Sequence, residues 1–173
     1  VKRRGLLIAG AVTAGGALLV GVGLQPPSAR SRLGAGSLMR PSDGEVALNG
    51  WVKIGTDGRV TVAVPRAEMG QGVHTALAQL LAEELDAAWD QVQVQDAPVA
   101  GIYANAALVL NVLPLQPDDN GALARFARGA GQRTGYVLGL QVTGGSSSVR
   151  DAWEPLRLAG AAARNLLLQA AAA

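Results

Sequence analysis

The stretch Pro65-Arg66-Ala67-Glu68-Met69-Gly70-Gln71-Gly72-Val73-His74-Thr75-Ala76 marks where an alternating, strand-like run hands over to an amphipathic helix. Two glycines there let the backbone come close to a ligand. They also leave free N–H groups at a helix start, an arrangement that holds phosphate or other electron-rich groups. Upstream, residues 51–55 and 60–64 alternate apolar and polar, and Asp57-Gly58 between them is a strong hairpin signal. Pro65 ends the second strand. Downstream, Val73, Ala76, Leu77, Leu80, Leu81 and Leu85 recur at helical spacing, while Glu83, Glu84 and Asp86 fall on the wet face, so a helix is expected over residues 73–85. Residues 91–95 alternate strictly and read as a third strand.

Farther on, residues 99–115 read as irregular, residues 122–128 as a short helix, and residues 129–139 are too glycine-rich to assign. A second turn, Gly144-Gly145-Ser146-Ser147-Ser148, precedes a stripe of Val149, Ala152, Trp153, Leu156, Ala163 and Leu167. Pro155 should kink this helix in its first two turns, or the helix proper starts near it. The pattern runs to Ala173 without a closing cap, which reads as truncation. The expected fold is α+β, a small, mostly antiparallel sheet with two packed helices. Either glycine turn alone is explained equally well by a sharp strand-to-helix turn. Two together, each with a polar residue (Gln71, Ser146), favour a long phosphorylated ligand.

The 173 residues suit one domain. Aromatics make up only 3% of the chain, so the core must be built from Val, Leu and Ala. A net charge of +2, concentrated near the N-terminus, speaks against nucleic acid. The absence of cysteine excludes disulfides, thiolate-bound zinc and iron–sulfur clusters on this chain. One histidine, His74, leaves no material for a multi-histidine metal site. Arg3-Arg4 ahead of a Gly/Ala-rich apolar run reads as a twin-arginine export signal; an ordinary membrane anchor or secretory signal is the alternative. Residues 1–46 are therefore expected to be leader and exposed linker, and residues 47–173 the domain. Without the leader, roughly 125–130 residues remain, enough for a modest core.

Three segments together carry a family resemblance: the hairpin over residues 51–64, EMGQGVHTALAQLLAEELDAAW over residues 68–89, and GLQVTGGSSSVRDAWEPLRLAGAAA over residues 139–163. They resemble the molybdopterin-binding subunit of the xanthine dehydrogenase/aldehyde oxidase family, in the isoquinoline 1-oxidoreductase beta branch. The resemblance implies a molybdenum hydroxylase that places water-derived oxygen on an aldehyde or N-heterocycle. It implies a molybdopterin cofactor in the cytosine dinucleotide form and [2Fe–2S] clusters on a separate small subunit. A cytochrome c electron acceptor is a further expected partner, and the twin-arginine signal implies a periplasmic location, either free or anchored to the membrane by an uncleaved leader. It places Gly70, Gln71 and Gly72 against the cofactor, with Gly144, Gly145, Ser146 and Ser147 near it. His74 is expected to be a packed or exposed first-turn residue, Trp89 and Trp153 core residues, and Glu68 no catalytic group.

The family's general base is a glutamate near the end of a subunit several times longer, and no residue here matches it. Glu83 and Glu84 sit on a solvated face and do not replace it. The chain is thus expected to be the N-terminal piece of such a subunit or a truncated, non-catalytic remnant. In isolation it should expose apolar surface and self-associate, or stay partly disordered, without the rest of the subunit. A free-standing nucleotide-binding module is disfavoured, since the strand–helix repeats and acidic ribose residue of a dinucleotide fold are missing.

Overall fold

The computed structural model describes residues 28–116 and 118–173. The expected twin-arginine leader lies outside them. Four strands form one sheet in sequence order: β1 (Glu45–Ala47), β2 (Val52–Gly55), β3 (Val60–Val64) and β4 (Val92–Asp96). The β2–β3 hairpin pairs Val52 with Val62 and Ile54 with Val60. Its turn closes as Asp57-Gly58 predicts: Gly58 takes φ 82°, and the Arg59 amide donates to Asp57 Oδ1 at 3.0 Å.

The helix expected after Gly72 is α1 (Val73–Leu85). It ends where Asp86 turns left-handed at φ 64° and donates its amide back to the Ala82 and Glu83 carbonyls. Because α1 carries the chain from the end of β3 back to its start, β4 joins β3 in parallel, with Val62 opposite Val94. The sheet is therefore mixed, with two antiparallel pairings and one parallel.

Two further helices follow, α2 (Ala106–Leu110) and α3 (Ala122–Val137), before the long α4 (Ser148–Ala171). The glycine-rich stretch after Arg128 is thus helical, contrary to its loop-like composition. A Cβ on Gly135 would come within 2.9 Å of the Ala106 Cα, so that glycine is where α3 presses on α2. Tertiary contact here overrides poor helix propensity. The segment read as irregular contains α2, and the short helix expected over residues 122–128 extends to Val137.

Helices α1 and α4 pack together against the sheet. Leu77, Leu81, Leu156, Ala159, Ala163, Val62 and Trp51 are fully buried in one core. The Trp51 ring meets Tyr103 edge-on, at a centroid distance of 4.9 Å. Trp89 and Trp153 do not join this core, contrary to expectation: both are about half exposed, at 48% and 49%. Trp153 instead lies beneath the Arg157 guanidinium, 5.4 Å from its ring centroid. The stretch read as exposed linker is also packed in part: Arg32 and Met39 are buried, and Glu45–Ala47 is a strand.

Pro155 neither starts nor ends α4, which runs through it. A proline at that position cannot donate to the Asp151 carbonyl one turn earlier. Arg32 Nη1 takes that donor's place, reaching the Asp151 carbonyl at 3.1 Å.

Candidate functional site

Both glycine turns open onto one cleft of about 390 Å³, between the starts of α1 and α4. Gln71, Val73 and Met69 line it from the first turn; Gly144, Ser146 and Val149 line it from the second. A strut joins the turns: the Ala67 amide donates to Thr143 Oγ1 at 2.8 Å.

Gly70 and Gly72 stand at φ 86° and 76°, a left-handed backbone that side-chain-bearing residues adopt at a cost. Gly144 is different. Its φ is not in the left-handed range, and a Cβ there would meet nothing within 4 Å. Neither backbone nor internal packing demands glycine at that position, and the space beside it belongs to the cleft. Gly145 does need to be glycine, since its φ is 59° and a Cβ would stand 2.7 Å from Asn111 Nδ2. That amide donates to the Gly145 carbonyl and bolts the turn to the end of α2. Ser146 is held left-handed at φ 49° on the cleft wall.

Ser147 faces inward. It is fully buried; its hydroxyl donates to the Gly144 carbonyl at 2.6 Å and accepts from Asn105 Nδ2 at 2.8 Å. Ser147 therefore shapes the turn from behind and does not reach into the cleft.

The first turn departs from its sequence reading. Its N–H groups are not free. Gly70 and Gly72 both donate to Glu68 Oε1 at 2.9 Å, and His74 donates to Glu68 Oε2 at 3.0 Å. These bonds, that from His74 first, hold the Glu68 carboxyl below its ordinary range. Gln71 also folds onto its own loop, accepting from the Met69 amide at 2.5 Å and donating to the Ala67 carbonyl at 2.9 Å. His74 is partly buried, its Nε2 2.7 Å from the Arg66 carbonyl, in keeping with a packed first-turn residue.

Between the end of β3 and the start of α4 lies a buried charge cluster that local sequence patterns do not reveal. Asp151, in the first turn of α4, accepts from Arg32 Nη2 at 2.9 Å and Arg66 Nη2 at 3.1 Å. Its other oxygen accepts from the Ala107 amide at 3.2 Å. Arg32 uses its remaining N–H groups on the Ile102, Ala104 and Asp151 carbonyls and the Tyr136 hydroxyl. Burial pulls the Arg66 pKa down to about 10, against the opposing pull of Asp151, so Arg66 is charged at neutral pH. The cluster ties the end of β3 to the start of α4, and so holds the two turns in register. Its members are 85 and 119 positions apart, too far for any spacing rule to find.

The molybdopterin cofactor-binding domain family matches residues 9–103. Among curated proteins, the beta chain of the isoquinoline 1-oxidoreductase of Brevundimonas diminuta is 35% identical over 174 residues, covering 99% of this chain and 18% of that protein. The membrane-bound aldehyde dehydrogenase [pyrroloquinoline-quinone] of Gluconacetobacter polyoxogenes is 31% identical over 169 residues, covering 98% and 17%. A nicotinate dehydrogenase subunit of Pseudomonas putida is 33% identical over 107 residues, covering 58% and 9%. The chain thus spans less than a fifth of the length of each of these relatives.

Proposed function

The chain belongs to the molybdopterin cofactor-binding domain family, and we propose that the cleft between the starts of α1 and α4 is where it holds that cofactor. The observation that carries the reading is convergence. Two glycine turns more than 70 residues apart in sequence face one cavity, and Gly144 there is unexplained by the chain's own packing. The residues fit a large polar ligand: Gly144 lets it approach the backbone, and Gln71 and Ser146 supply polar edges. Gly70, Gly72 and Gly145 set the two turns, and Ser147 braces the second from behind.

When bound, the cofactor supplies the oxygen-transfer and redox chemistry. This chain's residues bind and orient it, and Met69, Val73 and Val149 keep water from one wall of the cleft. The wider reading is of a molybdenum oxidoreductase subunit acting on aldehydes or N-heterocycles with water-derived oxygen. Its cofactor is the cytosine dinucleotide form, and electrons pass to a [2Fe–2S] small subunit and on to a cytochrome c. The names of the similar proteins support the substrate classes. The paired arginines Arg3 and Arg4 support export to the periplasm, and the cofactor-binding part takes in Arg32, Met39 and β1 as well as the residues after them.

The test is cofactor retention. The chain is produced in a host that makes molybdenum cofactor, and bound pterin and molybdenum are measured per chain for wild type and G144V. Wild type should retain both. G144V, whose Cβ has nothing within 4 Å and whose side chain adds bulk beside the cleft, should lose them while still folding, with its melting temperature as the check. Equal retention in G144V, or a wild-type chain free of pterin, would sink the reading.

A further inference from the structure

We infer that Glu68 is a built-in anion that fills the backbone nest at the start of α1 and bars an anionic ligand group from that turn. Left-handed glycines at Gly70 and Gly72 aim the amides of Gly70, Gly72 and His74 at one spot. These are the donors a phosphate would use at a helix start. The spot is already taken by both oxygens of a carboxylate four residues before Gly72. Gln71, bonded at both ends of its amide to Met69 and Ala67, closes the loop around it.

An outside anion would have to break three charge-assisted bonds and then face a like charge in the same place. The ligand groups this turn suits are therefore hydrogen-bond donors or uncharged edges. Glu68 is exposed, and its Oε2 accepts one bond within the fold, which leaves acceptor capacity for a ligand N–H. The glutamate thus determines specificity at the turn and takes no part in the chemistry. The inference adds a charge preference to the turn whose Met69 and Gln71 line the proposed cofactor cleft, and rests on that cleft for biological meaning. The filled nest itself rests on the turn's own geometry.

The test uses inorganic phosphate and the backbone amide resonances of the full chain. In wild type, the Gly70, Gly72 and His74 amides should not shift as phosphate is added. In E68A the nest is vacated, and the same three amides should shift saturably, with phosphate bound roughly tenfold or more tightly than in wild type. E68Q keeps the shape without the charge and should respond between the two. Saturable shifts in wild type matching those of E68A overturn the inference, as does a folded E68A or E68Q whose amides stay silent. The wild-type arm decides even if E68A does not fold. A chain that retains no pterin but whose E68A nest takes phosphate would refute the cofactor reading and leave this one standing.

Discussion

Replacing Gly160 with alanine tests how α1 and α4 are held together. In α4 this glycine faces the backbone of α1. A Cβ there would lie 2.3 Å from the Leu81 carbonyl oxygen and 3.0 Å from the Glu84 Cβ, whereas ordinary contact begins at 3.4 Å. The obstructing oxygen belongs to the interior of a helix and cannot rotate away. The two helices must part by about 1 Å, a gap that forfeits a quarter to a half of the dispersion attraction across it. Leu77, Leu81, Leu156, Ala159 and Ala163, all fully buried, share that seam. Overpacking of this kind costs about 1–3 kcal/mol. The better helix propensity of alanine returns about 1 kcal/mol. The net loss is up to about 2 kcal/mol, a fall in melting temperature of up to roughly 8 °C for a chain of this length. Thermal unfolding followed by circular dichroism reads it directly. G144A is the matched control: nothing lies within 4 Å of its new methyl, so its change should stay within about 0.5 kcal/mol. If G160A melts at or above wild type, propensity outweighs the contact, and the close approach at Gly160 is not what seats α4 on α1.

D151A should destabilise by about 3–5 kcal/mol, because it leaves two guanidinium groups buried without their shared carboxylate. Denaturant midpoints at unchanged m-value check this, and a loss under about 1 kcal/mol would contradict the role of the cluster. Acid should weaken the fold through Glu45 and Glu68, whose carboxyls both sit below the ordinary value of 4.5. A depressed folded pKa gives stability that is present above the unfolded value and lost as pH falls through the folded one. Denaturation between pH 6 and pH 3 should show that loss below about pH 4.5, with a shallower slope in E68Q and E45Q. An identical slope in both variants would rule these carboxylates out as its source.

The β2–β3 hairpin, α1 and the helical run of α4 are legible because each is written in local periodicity, but of the stripe expected on α4 only Ala152, Leu156 and Ala163 are buried, while Val149 and Leu167 are exposed. Asp57-Gly58 marks the hairpin, and Val73 to Leu85 carry the helical repeat. The convergence of the two turns is only implied by their likeness. Residues 129–139 are illegible because glycine reads locally as loop, while its purpose at Gly135 is contact with α2. Trp89 and Trp153 mislead because a large apolar ring suggests burial, yet both are half exposed. Glu68 shows in sequence only as a carboxylate near a glycine turn; its partners are three amides of that same turn.

By itself, the sequence determined the family, the order of its main strands and helices, and the two glycine turns. All of these depend on residue type and short-range spacing. The tertiary structure decided the parallel seat of β4 and the single cleft shared by both turns. It also decided the Arg32–Asp151–Arg66 cluster, in which Arg32 supplies the hydrogen bond that Pro155 cannot. The reason is range: a strand's direction or a buried charge's partner is set by groups far apart in sequence, which meet only when the apolar faces of α1, α4 and the sheet close on one another.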